Sequence, residues 1–120
     1  MSDHGTELPF FNSAEALERV GGDVSFLREL VDVFLAGMPE AIRNVTEAVH
    51  AKSSERLVES AHALKSALGN LSAIRAHEYA RQIEKIAILE DFEEALRLLA
   101  LLEKSIDGFL QSVEKDLRDN

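Results

Sequence analysis

The sequence predicts an all-α protein: an up-down antiparallel four-helix bundle with a short extra N-terminal helix. Three observations lead there. Apolar residues recur at 3–4 spacing through four long segments, the period of a helix with one buried face. Only a few residues join consecutive segments, so neighbouring helices must run antiparallel. Nothing alternates with a period of two, so no sheet is expected.

Residues 1–11 read as an N-terminal arm, loose as far as Leu8-Pro9, and 12–118 as one domain. Asn12 with Glu15 three residues on is a capping box, opening a short helix over about 13–20. Phe10, Phe11 and Leu17 pin that helix across one end of the bundle, and Gly21-Gly22 stops it. Asp23 caps the next helix. Its seam runs Leu27, Leu30/Val31, Phe34, Met38, Ile42, Val45 and Val49 and keeps phase across Pro39, which predicts a continuous helix kinked there. His50-Ala51-Lys52-Ser53 is a short connection, and Ser53 or Ser54 caps the third long helix.

The third helix runs to about Gly69 or Asn70 and buries Leu57, Ala61, Leu64, Leu68 and Leu71. Ser72 is the expected cap of the fourth, with Ala76, Tyr79/Ala80, Ile83 and Ile86/Ala87 inward. Asp91 with Glu94 gives a second capping box. The last helix then aligns Phe92, Ala95/Leu96, Leu99, Leu102, Ile106, Phe109/Leu110, Val113 and Leu117 on one face.

At 120 residues the chain is long enough for one sizeable core. With 46% hydrophobic and 29% charged residues it has the profile of a folded soluble domain, not a disordered one. It has no cysteine, which excludes disulfides, thiolate chemistry and Cys-based metal sites. No apolar run is long enough to span a bilayer, and Met1-Ser2-Asp3-His4-Gly5 lacks the features of a secretory signal, so a cytoplasmic monomer is expected. The net charge of −9 argues against nucleic acid or an anionic membrane as partner.

The chemistry concentrates in the third helix. At about 100° per residue, His62, Lys65, Ser66 and Gly69 fall on one stripe, apart from the leucines. A lone exposed histidine is most often an ordinary surface residue. Here an ammonium lies one turn away, and the neighbours Ser66 and Gly69 are very small. That combination suits a nucleophile that must meet a bulky anionic partner. Glycine late in a helix costs about 1 kcal/mol relative to alanine, so Gly69 marks either a close approach or a helix stop.

These residues carry a family resemblance. His62-Ala63-Leu64-Lys65-Ser66-Ala67-Leu68-Gly69-Asn70-Leu71-Ser72-Ala73 resembles the signature of histidine phosphotransfer (HPt) domains: His, an apolar residue at +2, Lys at +3, a small residue at +4 and Leu-Gly-Ala near +9. The likeness covers about residues 12–117. It implies a phosphorelay intermediate without an ATP site or turnover of its own. The histidine takes a phosphoryl group from the aspartate of one receiver domain and passes it to another.

Carried over by position, the resemblance makes His62 the phosphoacceptor and Lys65 the neighbouring cation. Ser66 is the small residue that leaves room for the receiver's acidic pocket; Glu59, Gly69 and Arg81 join it as partner-facing positions. The family often has Gln or Glu on the next helix facing the active histidine, and that position falls on Glu84. A turn near 71–73 sets residues 81–84 level with 62, so a carboxylate there can accept the Nδ1 proton and leave Nε2 free. The implied partners are receiver domains of response regulators and hybrid kinases, which bring the Mg²⁺; no cofactor is expected on this chain. Ser66 and Ser72 depart from the glycines common at their positions, and a serine hydroxyl there could bond to phosphate.

Two other readings compete. Glu47-x-x-His50 and Glu59-x-x-His62 have the spacing of carboxylate-bridged di-iron bundles. Glu59 points away from core residue Leu57, however, and His50 lies at a helix end, so no metal site is expected. A bundle used purely as an adaptor, with His62 incidental, would share the docking surface and differ only in taking no phosphoryl group.

Overall fold

The computed structural model describes residues 8–118, so the first seven residues of the expected arm lie outside the described residues. Five helices follow in order: α1 (Ser13–Arg19), α2 (Val24–His50), α3 (Ser54–Asn70), α4 (Ile74–Ile88) and α5 (Phe92–Leu117). α3 packs on α2 and α4, and α5 packs on α4 and α2, which gives a square antiparallel bundle. α1 lies against α2 and α5.

The predicted seams are the ones that fill the core. Leu57, Ala61, Leu64 and Leu68 of α3 are buried against Ala76, Tyr79, Ala80 and Ile83 of α4. α2 runs without interruption through Pro39, as the unbroken seam requires. On α5 the expected inward Leu96 is 37% exposed, and Leu98 is buried in its place. α5 packs on two neighbours and so buries a stripe wider than one seam. Leu98 shares that stripe with Ser105, two turns on, whereas Leu96 falls outside it.

Four of the predicted capping residues act as caps. Asn12, Asp23, Ser53 and Asp91 accept from the backbone N–H groups of Glu15, Phe26, Arg56 and Glu94. Ser53, not Ser54, therefore caps α3, while Ser54 Oγ donates to Ala87 O at 2.7 Å and ties that end to α4. Neither expected capping box is completed. The Asn12 and Asp91 N–H groups already donate to Ser72 O and Ile86 O. Glu15 and Glu94 turn instead to Arg19 and Arg97.

The fifth prediction of this kind fails. Ser72 does not cap α4; Ala73 holds the cap position and has no side-chain bond. Ser72 is instead the residue after the α3 C-cap, with φ of 54°. Its N–H donates to Gly69 O at 3.0 Å, and the next N–H donates to Leu68 O at 3.1 Å, which closes the helix end. Lys52 and Glu90, at φ of 51° and 58°, end α2 and α4 in the same way. Among the described residues, only Gly21 and Gly22, at 65° and 82°, are glycines at positive φ.

Ser72 is held in this conformation by α1. Its buried hydroxyl donates to Glu15 Oε1 at 2.6 Å and accepts from Arg19 Nη1 at 2.9 Å. Arg19 Nη1 also donates to Gly69 O. The chain ahead of α1 adds to the clamp. Pro9 O accepts from Arg75 N at 3.0 Å, serving the first turn of α4 that no side chain caps. Leu8 O accepts from Arg75 Nε at 2.7 Å, and the Arg75 guanidinium lies 4.0 Å from the Phe10 ring centroid. Gly108 on α5 makes room for Phe10, because a Cβ there would overlap the ring. Phe11 meets Phe109 edge-to-face at 5.3 Å.

Replacing Ser72 with Ala removes both hydroxyl bonds and keeps the left-handed backbone, so it should destabilise the fold by about 1–2 kcal/mol. Ser72→Gly loses the same bonds but relieves the backbone, and should lie between Ser72→Ala and wild type. Urea unfolding midpoints of the three proteins check the order.

Candidate functional site

His62 stands near the middle of α3, on the face away from Leu57, Leu64 and Leu68, with 60% of its side chain exposed. The antiparallel α3–α4 hairpin brings Glu84 level with it. Glu84 Oε2 lies 3.0 Å from His62 Nδ1, and Glu84 Oε1 lies 2.7 Å from Lys65 Nζ. One carboxylate thus serves two donors, one oxygen for each.

The electrostatics fix the roles. The hydrogen bond from Lys65 holds the Glu84 carboxyl below the ordinary glutamate value of 4.5, against a smaller opposing push from burial, and the bond to His62 adds to the lowering. Glu84 is therefore ionised at neutral pH and can only accept. A neutral imidazole facing that acceptor carries its proton on Nδ1, which leaves the lone pair on Nε2. Ala63 and Ser66 beside it are exposed, so nothing bulky on α3 walls the ring off.

Arg81, expected to face a partner, is held by its own helix. It makes a two-pronged pair with Glu78, at 2.8 and 2.6 Å, and does not bond to His62. That pair lowers the Glu78 carboxyl and raises Arg81. Gly69 is neither a helix stop nor part of the open face around His62. It lies inside α3, and a Cβ there would come within 3.2 Å of His77 Cδ2, so its smallness admits His77 of α4. Burial first, then the Lys65 charge, pushes His77 below the ordinary imidazole value. The Ser72 hydroxyl is engaged by α1 at the hairpin turn and is unavailable to phosphate. Glu59 is exposed one turn before His62. Glu47 pairs with Arg56 at 4.0 Å, away from any shared carboxylate–histidine cluster. Among the described residues, no group of three or more His, Asp or Glu side chains could hold a metal ion.

One feature of the surface went unread in the sequence. Beside the histidine, α2 and α3 enclose an apolar groove of about 230 Å³. Val33, Gly37, Met38 and Ala41 line it from α2, and Ala63 and Ala67 from α3. Val33 is 70% exposed. The signal was present as small residues at helical spacing on the flanks of both seams, where Val33, Gly37 and Ala41 on α2 face Ala63 and Ala67 on α3.

The fold and site define a helical bundle that presents an exposed imidazole, paired with a carboxylate, on an open face. The family model of the Hpt domain matches residues 29–118, well over half of the chain. The protein belongs to the histidine phosphotransfer (Hpt) domain family, whose members are phosphocarrier modules of two-component phosphorelays. Comparison with curated proteins and with solved structures gave no match. No helix among the described residues is long and apolar enough to cross a membrane.

Because the folded Glu84 value is depressed, its contribution to stability is complete above about pH 4.5 and is lost as pH falls through the lowered value. Lys65→Ala removes the main cause. In that variant the Glu84 carboxyl should titrate at higher pH than in wild type, as followed by carboxyl ¹³C NMR. An unmoved titration would refute the pairing.

Proposed function

We propose that His62 is the phosphoacceptor of a phosphorelay intermediate, taking its phosphoryl group from one receiver-domain aspartate and passing it to another. The observation that carries this is an exposed imidazole whose Nδ1 lies 3.0 Å from the Glu84 carboxylate, itself bonded to Lys65 at 2.7 Å. In the forward step Nε2 attacks phosphorus in line, the N–P bond forms, and the P–O bond to the aspartate breaks. The departing carboxylate stays on the receiver with the Mg²⁺ that the receiver binds. The second receiver reverses the sequence.

Such a transfer requires position and charge compensation more than proton chemistry on this side. Lys65 supplies the nearby positive charge. Ser66 and Ala63 leave space for the receiver's acidic pocket, and the α2–α3 groove gives its apolar surface a place to dock. An apolar groove beside a polar site is a common build of a protein interface. The adaptor alternative uses the same groove but needs no exposed Nε2 and no carboxylate to fix the tautomer.

His62→Gln should fold as wild type by circular dichroism and accept no label from a phosphorylated receiver. Undiminished labelling would sink the assignment. An adaptor would bind the receiver and take no label even as wild type. Val33→Asp places a charge in the groove at a position that contributes little to the core. It should weaken receiver binding about tenfold, as measured by calorimetry, and leave the unfolding midpoint in place.

A further inference from the structure

The carboxylate at 84 does something that an amide in the same place could not. Its two oxygens accept separately, from His62 Nδ1 at 3.0 Å and from Lys65 Nζ at 2.7 Å. A glutamine has one acceptor oxygen and one NH₂ donor. It could still receive the ring proton and keep the same tautomer, but it would turn its donor toward the Lys65 ammonium and carry no charge. Fixing the tautomer of the free ring therefore does not account for a carboxylate. The difference emerges once the ring is loaded.

When Nε2 bonds to phosphorus and Nδ1 keeps its proton, the ring itself is cationic. Breaking that N–P bond returns the electron pair to Nε2 and releases a neutral imidazole. If Nδ1 has lost its proton, the same cleavage must expel an imidazolate anion, a far poorer leaving group. The proton on Nδ1 thus decides how readily the phosphoryl group departs, whether to a receiver carboxylate or to water, which then sheds its own proton to solvent. Resting on the phosphoacceptor role of His62, we propose that Glu84 keeps Nδ1 protonated in the phosphorylated ring and so makes His62 a fast-discharging carrier instead of a store.

The surroundings leave this role to Glu84. Among the described residues, Lys65 is the one other charged group bonded to the pair, and it is itself tied to the carboxylate. Arg81 on α4 is engaged by Glu78, and Glu59 lies a turn before His62 on α3. α2 faces this part of α3 with Gly37, Ala41 and Asn44, which carry no charge. Glu84 acts through the ring and is a positioning residue.

The test uses the full chain as wild type, Glu84→Gln and His62→Gln, each phosphorylated with phosphoramidate. ³¹P NMR then follows decay of the signal absent from His62→Gln between pH 5 and 9. In Glu84→Gln the label should persist to lower pH: the decay profile shifts down by about one pH unit, and discharge at pH 8 is about tenfold slower. A merely structural role for Glu84 would not move that profile. Superimposable profiles overturn the proposal. Failure of Glu84→Gln to take the chemical label also overturns it, since an amide oxygen suffices to hold the tautomer. If a phosphorylated receiver gives wild type no label although phosphoramidate does, the relay role falls separately.

Discussion

Everything in the site depends on the register of the α3–α4 hairpin. His62 and Glu84 are far apart in sequence, and their side chains meet only if the helices reverse at one particular residue. One residue more or less in the turn would rotate Glu84 by about 100° around α4. The carboxylate would then leave both His62 and Lys65. The chain fixes this turn through Ser72, in a backbone conformation that serine seldom adopts, and secures it with bonds from α1 to the Ser72 side chain. A buried hydroxyl held by a carboxylate and a guanidinium offsets the backbone penalty. It also ties the N-terminal helix to the turn that sets the site.

This explains why a segment outside the matched family region matters. Residues 8–19 supply Leu8 O and Pro9 O to Arg75, Phe10 to the space above Gly108, Phe11 to Phe109, and Glu15 and Arg19 to the turn. The first turn of α4 has no side-chain cap, so the N-terminal backbone completes it. The histidine itself receives no direct contact from this segment. Its placement comes through α3 and α4 as rigid bodies, which keeps the open face free of the groups that hold it in position.

Much of this was legible beforehand. The helices, their caps at Asn12, Asp23, Ser53 and Asp91, and the buried leucines of α3 follow from local chemistry and periodicity, which act over a few residues. The outward stripe of His62 and Lys65, and Glu84 level with them, follow from a short turn between antiparallel helices. What escaped depends on contacts distant in sequence. Ser72 has the composition of a cap, and only the arrival of Glu15 and Arg19 shows why a serine occupies a left-handed position. Gly69 is explained by His77 across the hairpin, which no pattern within α3 reveals. Leu98 is buried because α5 touches two neighbours, a fact of packing. The groove needs α2 and α3 side by side before its small residues become a surface.

The charge balance of the site bears on how a partner would find it. The chain carries a net charge of −9, and Lys65, the cation bonded within the site among the described residues, is compensated by Glu84. A receiver's acidic pocket would therefore meet little long-range attraction. At physiological ionic strength, charges more than about 8 Å apart are in any case largely screened. Recognition must then rest on short-range fit: apolar contact in the α2–α3 groove and the absence of bulk around His62. Lys65 would act only at contact, when the phosphoryl oxygens come close enough to compete with Glu84 for its ammonium. With Lys65 paired to Glu84, such a site would exert little long-range pull on free phosphate. A complementary surface that docks there and displaces water would strengthen these contacts, and that is where such a site would gain selectivity among partners.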